Sequence, residues 1–284
     1  MARRKIRPVD FTLHTVIYIV LIVITFVTLF PVLYSLFGSF KTNQELMTSA
    51  NLLPRKIIWD NYITAWQKID YARYTFNSIV VAVASVLLSL LNTTMTAYVL
   101  ARRKFKGKKI ISTMYTASMF ISIGPAGLYP TYSVLVGTGM NNNLMGLIII
   151  GASAGAANIF LTRGYLEGIP RDYDDAARID GCSFFRIYLQ ILLPLMMPIV
   201  GVVGLLVFRG SWNSYLLPMI VTTGREELMT LPVATVALKS SGGNATQWSV
   251  LLAAANISLI PMILVYILCN KQFVNGITSG GIKG

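Results

Sequence analysis

Residues 167–198 read EGIPRDYDDAARIDGCSFFRIYLQILLPLMMP, and the rest of the chain is read outward from them. This is the one long charged, turn-punctuated passage between two apolar runs. Pro170 suits the first position of a helix, where a missing N–H costs nothing. Asp172, Asp174 and Asp175 then occupy the first turns, where the helix dipole favours negative charge. Tyr173, Ala176, Ala177 and Asp180 recur at i, i+3, i+4 and i+7, which predicts that the small residues share a face. Gly181 is placed to end this helix and Ser183 to cap a second one over 184–193. Phe184, Ile187, Tyr188 and Ile191 form the second helix's apolar stripe. The spacing predicts a helix–turn–helix lying against a membrane, a form that a plain amphipathic connector also takes.

The membrane follows from composition. Of 284 residues, 55% are hydrophobic and only 12% charged, against about 25% charged in a soluble domain. A net charge of +13 suggests nucleic acid at first sight. The basic residues, however, cluster beside apolar runs, as positive-inside topology requires, and nucleic-acid binding is set aside. Cys182 and Cys269 lie far apart and no disulfide is expected. His14 stands alone at the start of the first apolar run, and no His, Cys and carboxylate group has metal-ligand spacing. That first run extends from Val16 past Leu29, longer than the roughly 7–15 residues of a signal core, and no A-x-A-like site follows it. It reads as a retained span.

Six candidate spans emerge, each near the roughly 20 residues that cross a bilayer. They cover 13–37 (with Pro31 as a kink), 75–101, 110–135 (interrupted by Pro125, Gly127 and Pro130), 144–161, 195–221 and 250–269. Residues 1–12 precede them. Residues 270–284 are too polar and Gly-rich to continue the sixth helix. With the N-terminus inside, Arg3, Arg4, Lys5 and Arg7, the run Arg102, Arg103, Lys104, Lys106, Lys108 and Lys109, and the basic residues of 163–186 all fall on the cytoplasmic face. Both termini are therefore expected inside, and the 167–194 loop with them. The outer segment 38–73 is long enough for a small structured loop, with Pro54 and Trp59 at the interface. The outer segment 222–247 carries Arg225, Glu226, Glu227 and a Gly242-Gly243-Asn244 turn.

Polar residues inside the spans are candidates for a permeation path. Ser85, Ser89, Asn92 and Thr96 form a stripe on the second span, serving either interhelical hydrogen bonds or substrate. Gly151 and Gly155 make a small-xxx-small packing surface, with Asn158 beside it. The fifth span holds Phe208-Arg209-Gly210-Ser211-Trp212-Asn213-Ser214-Tyr215. A mid-span arginine is costly unless it faces water, a partner or an anion. Arg209 therefore pairs with backbone or a partner subunit's carboxylate, lines an aqueous path that favours acidic sugars, or snorkels. Ser89, Asn92, Asn158, Arg209, Trp212 and Asn213 are the path candidates.

The run D-A-A-R-I-D-G at 175–181, followed by Leu193-Pro194, resembles the "EAA loop" of ABC importer permeases. Asp175, Ala176 and Ala177 match the E-A-A, Gly181 its glycine and Pro194 the closing L-P, with Asp in place of the leading Glu. A-A-R-I-D-G is similar to the carbohydrate-uptake branch. So is the Trp-Asn of the fifth span, followed by an aromatic and then Pro218. The ending F-V-N-G-I-T-S-G-G-I-K-G resembles the tail of the smaller membrane subunit of maltose-type importers. The resemblance implies an all-α, six-span, type I ABC importer permease fold in a bacterial plasma membrane. It implies a coupling helix in the 167–194 loop, with Asp175, Ala176, Ala177, Asp180, Gly181 and Pro194 contacting an ATPase. The implied partners are a homologous permease, two ATPase subunits and an extracytoplasmic binding protein that meets the outer loops. ATP and Mg would sit on the ATPase, with no cofactor on this chain.

Other classes fit less well. A secondary transporter predicts intramembrane acids and repeats, and no Asp or Glu lies within the six expected spans. An intramembrane enzyme needs a catalytic dyad or an H-E-x-x-H motif, which the sequence lacks. It also lacks G-x-x-x-x-G-K-[ST], so energy from ATP has to arrive through another chain.

Overall fold

The computed structural model describes residues 8–68, 70–121, 124–239 and 247–281, with backbone only for 8–13 and 270–281. The chain's first seven residues, the Gly242-Gly243-Asn244 turn and the last three residues, Lys283 among them, lie outside these. The described residues contain helices and no strand. In order they are α1 (Pro8–Gly38), α2 (Asn43–Thr48), α3 (Asp60–Lys68), α4 (Tyr71–Arg102), α5 (Lys108–Phe120), α6 (Leu128–Gly137), α7 (Leu144–Gly151), α8 (Ala156–Glu167) and α9 (Asp172–Ile179). There follow α10 (Phe184–Ile187), a π-turn over Tyr188–Leu192, α11 (Leu193–Leu195), α12 (Met197–Trp212), α13 (Leu216–Val221), α14 (Leu231–Ala237) and α15 (Trp248–Gly281).

Among the described residues three helices are long and apolar enough to cross a membrane: His14–Gly38, Tyr71–Arg102 and Trp248–Cys269. Two bent pairs raise the number to as many as five. Leu144–Gly151 and Ala156–Glu167 meet at 43°, and Phe184–Leu195 and Met197–Trp212 at 81°. The expected third span is divided into α5 and α6, of 13 and 10 residues. Pro125 and Gly127 fall in the 3-10 turn between them, where a proline lacks the N–H that would continue the ladder. The expected fifth span is likewise α12 and α13, separated at Asn213–Tyr215.

The tail departs from expectation. Helix α15 runs past Cys269 to Gly281, because no proline follows Pro261 and each glycine costs only about 1 kcal/mol relative to alanine without removing a backbone hydrogen bond.

The chain forms two compact units. The first comprises residues 1–69 and 235–257. In it α1 leads into a structured loop, as anticipated for 38–73. The Asn61 side-chain amide donates to the carbonyls of Ser39 (2.7 Å) and Lys41 (2.8 Å), and the buried Lys41 ammonium donates to the Asn51 carbonyl. Phe40, Trp59 and Tyr62 cluster there, with Phe40 and Trp59 edge to face at 5.0 Å. Asn256 closes on α1 by donating to the Ser35 carbonyl at 3.1 Å.

The second unit, residues 70–234 and 258–284, is built around α4, which packs against α7, α8 and α12. Ser85, Ser89, Thr93 and Ala97 recur every four residues and are fully buried. Small side chains here let neighbouring helices approach closely. A Cβ on Gly151 of α7 would collide with the Ser85 hydroxyl, so only glycine fits that crossing. The main apolar cluster gathers Tyr98 and Ala101 of α4, Leu166 of α8, Ala177 of α9, Tyr188 and Leu192 of the π-turn, and Val202 and Val203 of α12. The second cluster joins Val81, Leu135, Leu147, Ile148 and Val221.

Candidate functional site

Two places in the second unit hold the residues expected to matter: the 167–196 hairpin and the two helix breaks near its middle.

The hairpin forms where the sequence predicts it, with changed boundaries. Pro170 does not begin the helix. Were it the first helical residue, the Ile169 carbonyl would accept the first intrahelical bond. Instead that carbonyl accepts a 2.7 Å hydrogen bond from the Arg102 guanidinium, and α9 starts two residues later, at Asp172. Its end is as expected. Gly181 takes φ +77°, the Cys182 N–H donates to the Ala177 carbonyl (2.9 Å) and the Gly181 N–H to that of Arg178 (3.0 Å), a Schellman arrangement that needs a left-handed residue. The Ser183 hydroxyl accepts from the Arg186 N–H at 3.3 Å and caps α10.

The second helix then widens. The Leu193 N–H reaches back five residues to Tyr188, forming the π-turn. Pro194 explains this: its ring would strike the carbonyl of residue 190 in a regular helix, and a wider turn relieves the clash.

The faces of α9 differ from the expected pattern. Asp174 and Ala177 are buried, whereas Tyr173, Ala176, Asp180 and Ile179 are exposed, Ile179 to 87%. Ala177 therefore does not share a face with Tyr173, Ala176 and Asp180. The reason is an ion pair that the spacing did not reveal. Arg102 Nε lies 3.2 Å from Asp174 Oδ2, with both side chains at least 96% buried. The same guanidinium donates to the Leu166 carbonyl (3.2 Å) as well as to that of Ile169. Asp175, the motif's acid, faces out and pairs with Arg178 at 3.3 Å on the exposed surface, a contact worth about 0–1 kcal/mol.

Aromatic rings complete the seat. Tyr98 stacks on Phe184 at 4.3 Å and on Tyr188 at 5.4 Å, and its hydroxyl donates to the Phe184 carbonyl at 3.1 Å. The Arg103 guanidinium covers the other reach of Phe184 at 3.8 Å from the ring centre, and Thr94 meets the Tyr188 hydroxyl at 2.8 Å. Arg102 looked like one of a cytoplasmic basic run. Its pairing with Asp174 depends on a separation of 72 residues that no periodicity reports.

The second place is a cavity of about 310 Å³ between the α7–α8 break and the ends of α12 and α13. Gly151, Ser153, Gly155 and Asn158 line it from one break, and Gly210, Ser211 and Ser214 from the other. Of the six path candidates, only Asn158 lines this space. Ser89 is sealed inside the α4 packing, and Trp212 is buried with its indole N–H donating to the Ser258 carbonyl at 3.2 Å. Asn213 ends α12 and is exposed, as is Arg209. Asn92 is exposed too, because Thr93 takes the buried slot; Thr96 is half-buried, so the expected stripe divides between two faces. Ser153, Ser211 and Ser214 line the cavity and were not among the path candidates. The available signal was the pair of Gly- and Ser-rich interruptions, since discontinuous helices mark binding regions in transporters.

Comparison with known proteins agrees with this architecture. The chain is 32% identical over 260 residues to the arabinooligosaccharides transport system permease protein AraQ of Bacillus subtilis, covering 90% of this chain and 91% of that one. It is 33% identical over 267 residues to the probable starch degradation products transport system permease protein AmyC of Thermoanaerobacterium thermosulfurigenes, covering 92% and 94%. Its fold matches a chain in the crystal structure of a bacterial ABC transporter involved in the import of the acidic polysaccharide alginate, with a TM-score of 0.81, 24% identity and coverage of 95% and 100%. The model of the family "Binding-protein-dependent transport system inner membrane component" matches residues 1–277, and the chain belongs to that family.

Proposed function

We propose that the protein is a permease subunit of an ATP-driven, binding-protein-dependent importer of sugars or oligosaccharides, and that the 167–194 hairpin couples it to an ATPase. The observation that carries the coupling role is the outer face of α9. Tyr173 (49% exposed), Ile179 (87%) and, on α10, Phe185 (55%) stand among the charges of Arg171, Asp172, Asp175, Arg178, Asp180 and Arg186. Apolar side chains ringed by that many charges do not face hydrocarbon. They suit a groove on another protein. In this reading the six crossings count α5–α6 as one, both termini are cytoplasmic, and the chain pairs with a homologous permease, two ATPase subunits and an extracytoplasmic binding protein. ATP and Mg belong to the ATPase. Asp175, Ala176, Ala177, Asp180, Gly181 and Pro194 shape or present the docking surface, while the cavity beside Asn158 contributes half of the path. ATP-driven closure moves the hairpin and switches the spans between inward- and outward-facing states. The sugar class rests on the names of the relatives. Ile179→Asp is expected to remove the ATPase subunits from the purified complex; retention of the ATPase with normal uptake would refute the docking face.

A second reading has one observation in its favour. Arg209 is exposed, has no partner among the described residues, and precedes two residues that line the cavity. A free guanidinium there suits a carboxylate and hence uronate oligosaccharides. Measuring the binding protein's affinity for neutral and uronic-acid oligosaccharides separates the two readings, with neutral preference excluding the acidic one.

A further inference from the structure

We infer that Arg102 is a positioning residue that latches the coupling hairpin to α4, so that movement of the hairpin is delivered to the spans through α4 rather than along the chain into α12. The inference rests on the coupling role proposed above and adds the route. Two routes leave the hairpin. The covalent one passes through Met196, where Phe184–Leu195 turns 81° into Met197–Trp212. Its preceding turn is a π-turn, with looser hydrogen bonding than an α-helix. A bent joint transmits force along the hairpin poorly. The other route is non-covalent and stiff. Thr94, Tyr98 and Arg102 stand at successive turns on one face of the unbroken 32-residue α4, and each touches the hairpin.

Of these contacts, only Arg102 joins three chain segments at once. Its guanidinium holds the Leu166 carbonyl at the end of α8, the Ile169 carbonyl in the turn and the Asp174 carboxylate in the first turn of α9. Among the described residues Asp174 Oδ1 and Oδ2 accept no hydrogen bond, so its charge is balanced by Arg102 and by the start of α9. A buried carboxylate held this way resists separation from its partner, because parting would leave both charges unpaired in a dry site. The planar guanidinium donates to two carbonyls while setting its charge beside the carboxylate, where a lysine would serve as a single point charge. When the hairpin moves, the end of α4 must move with it.

The test uses the full complex with its ATPase and binding protein in vesicles, comparing uptake of labelled arabinotriose or maltotriose, whichever the binding protein retains, with ATP hydrolysed. Asp174→Asn keeps the shape and removes the charge. The double variant Arg102→Gln, Asp174→Asn removes both charges and leaves none stranded, which favours assembly. Both are expected to keep the ATPase subunits and hydrolysis while uptake per ATP falls about tenfold, a loss within the range of measured coupling changes. Uptake per ATP within twofold of wild type in the double variant would overturn the latch. So would loss of the ATPase subunits from it, which would make these docking residues. Ile179→Asp runs alongside. If it leaves docking and uptake intact, the coupling-hairpin reading itself fails; if it removes the ATPase while the double variant behaves as wild type, only the latch fails.

Discussion

At the N-terminal end of α4, the Asn77 side-chain amide donates to the carbonyls of Glu227 (2.9 Å) and Met229 (3.0 Å), and the Ser78 hydroxyl accepts from the Leu231 N–H at 2.7 Å. At the C-terminal end, Tyr98 and Arg102 hold the 167–196 hairpin by stacked rings and a buried ion pair. One helix therefore grips a loop at each end, with different chemistry. The first grip is neutral and backbone-directed. Its bonds are worth about 0.5–1.5 kcal/mol each and water replaces them readily when they open. The second strands charge when it opens. On the coupling role proposed above, a loop that transmits displacement suits the second kind of anchor.

Three substitutions probe this difference. Arg102→Ala leaves Asp174 as an uncompensated buried charge and should cost about 3–5 kcal/mol, read as a lower thermal midpoint of the purified complex and faster hydrogen exchange across 172–188. An unchanged midpoint would mean that the two ends are equivalent. Asn77→Leu removes two hydrogen bonds and should cost about 1–3 kcal/mol, with faster exchange confined to 226–231. If the hairpin also loosened, the ends would not be separable. Ser183→Ala removes one helix cap, at about 1 kcal/mol. Exchange should quicken only in the first turn of α10, because stacking on Tyr98 holds the rest.

Much of the hairpin was legible. Gly181 and Ser183 signal a stop and a start by local chemistry, which is why both were found where expected. Its inner face was not legible. Asp172, Asp174 and Asp175 look alike in sequence, each an acid in a first helical turn, and only the approach of Arg102 distinguishes Asp174. The motif drew attention to Asp175, which turned out to make an exposed pair. The break in the third span was marked by Pro125 and Gly127; those in the fourth and fifth spans were not anticipated, and their angles depend on packing. The tail was misjudged because glycine weakens a helix without ending one.

The sequence by itself determined that this chain lies in a membrane, where its apolar runs fall, and where the 167–196 hairpin turns. Those properties depend on hydrophobicity and on local backbone preferences, which act over a few residues. Only the tertiary structure decided which acid is buried, which small residues of α4 face inward, and that the cavity lies between two helix breaks. Those depend on groups distant in sequence meeting in a dry interior, where one arginine's charge fixes the rotation of a helix 72 residues away.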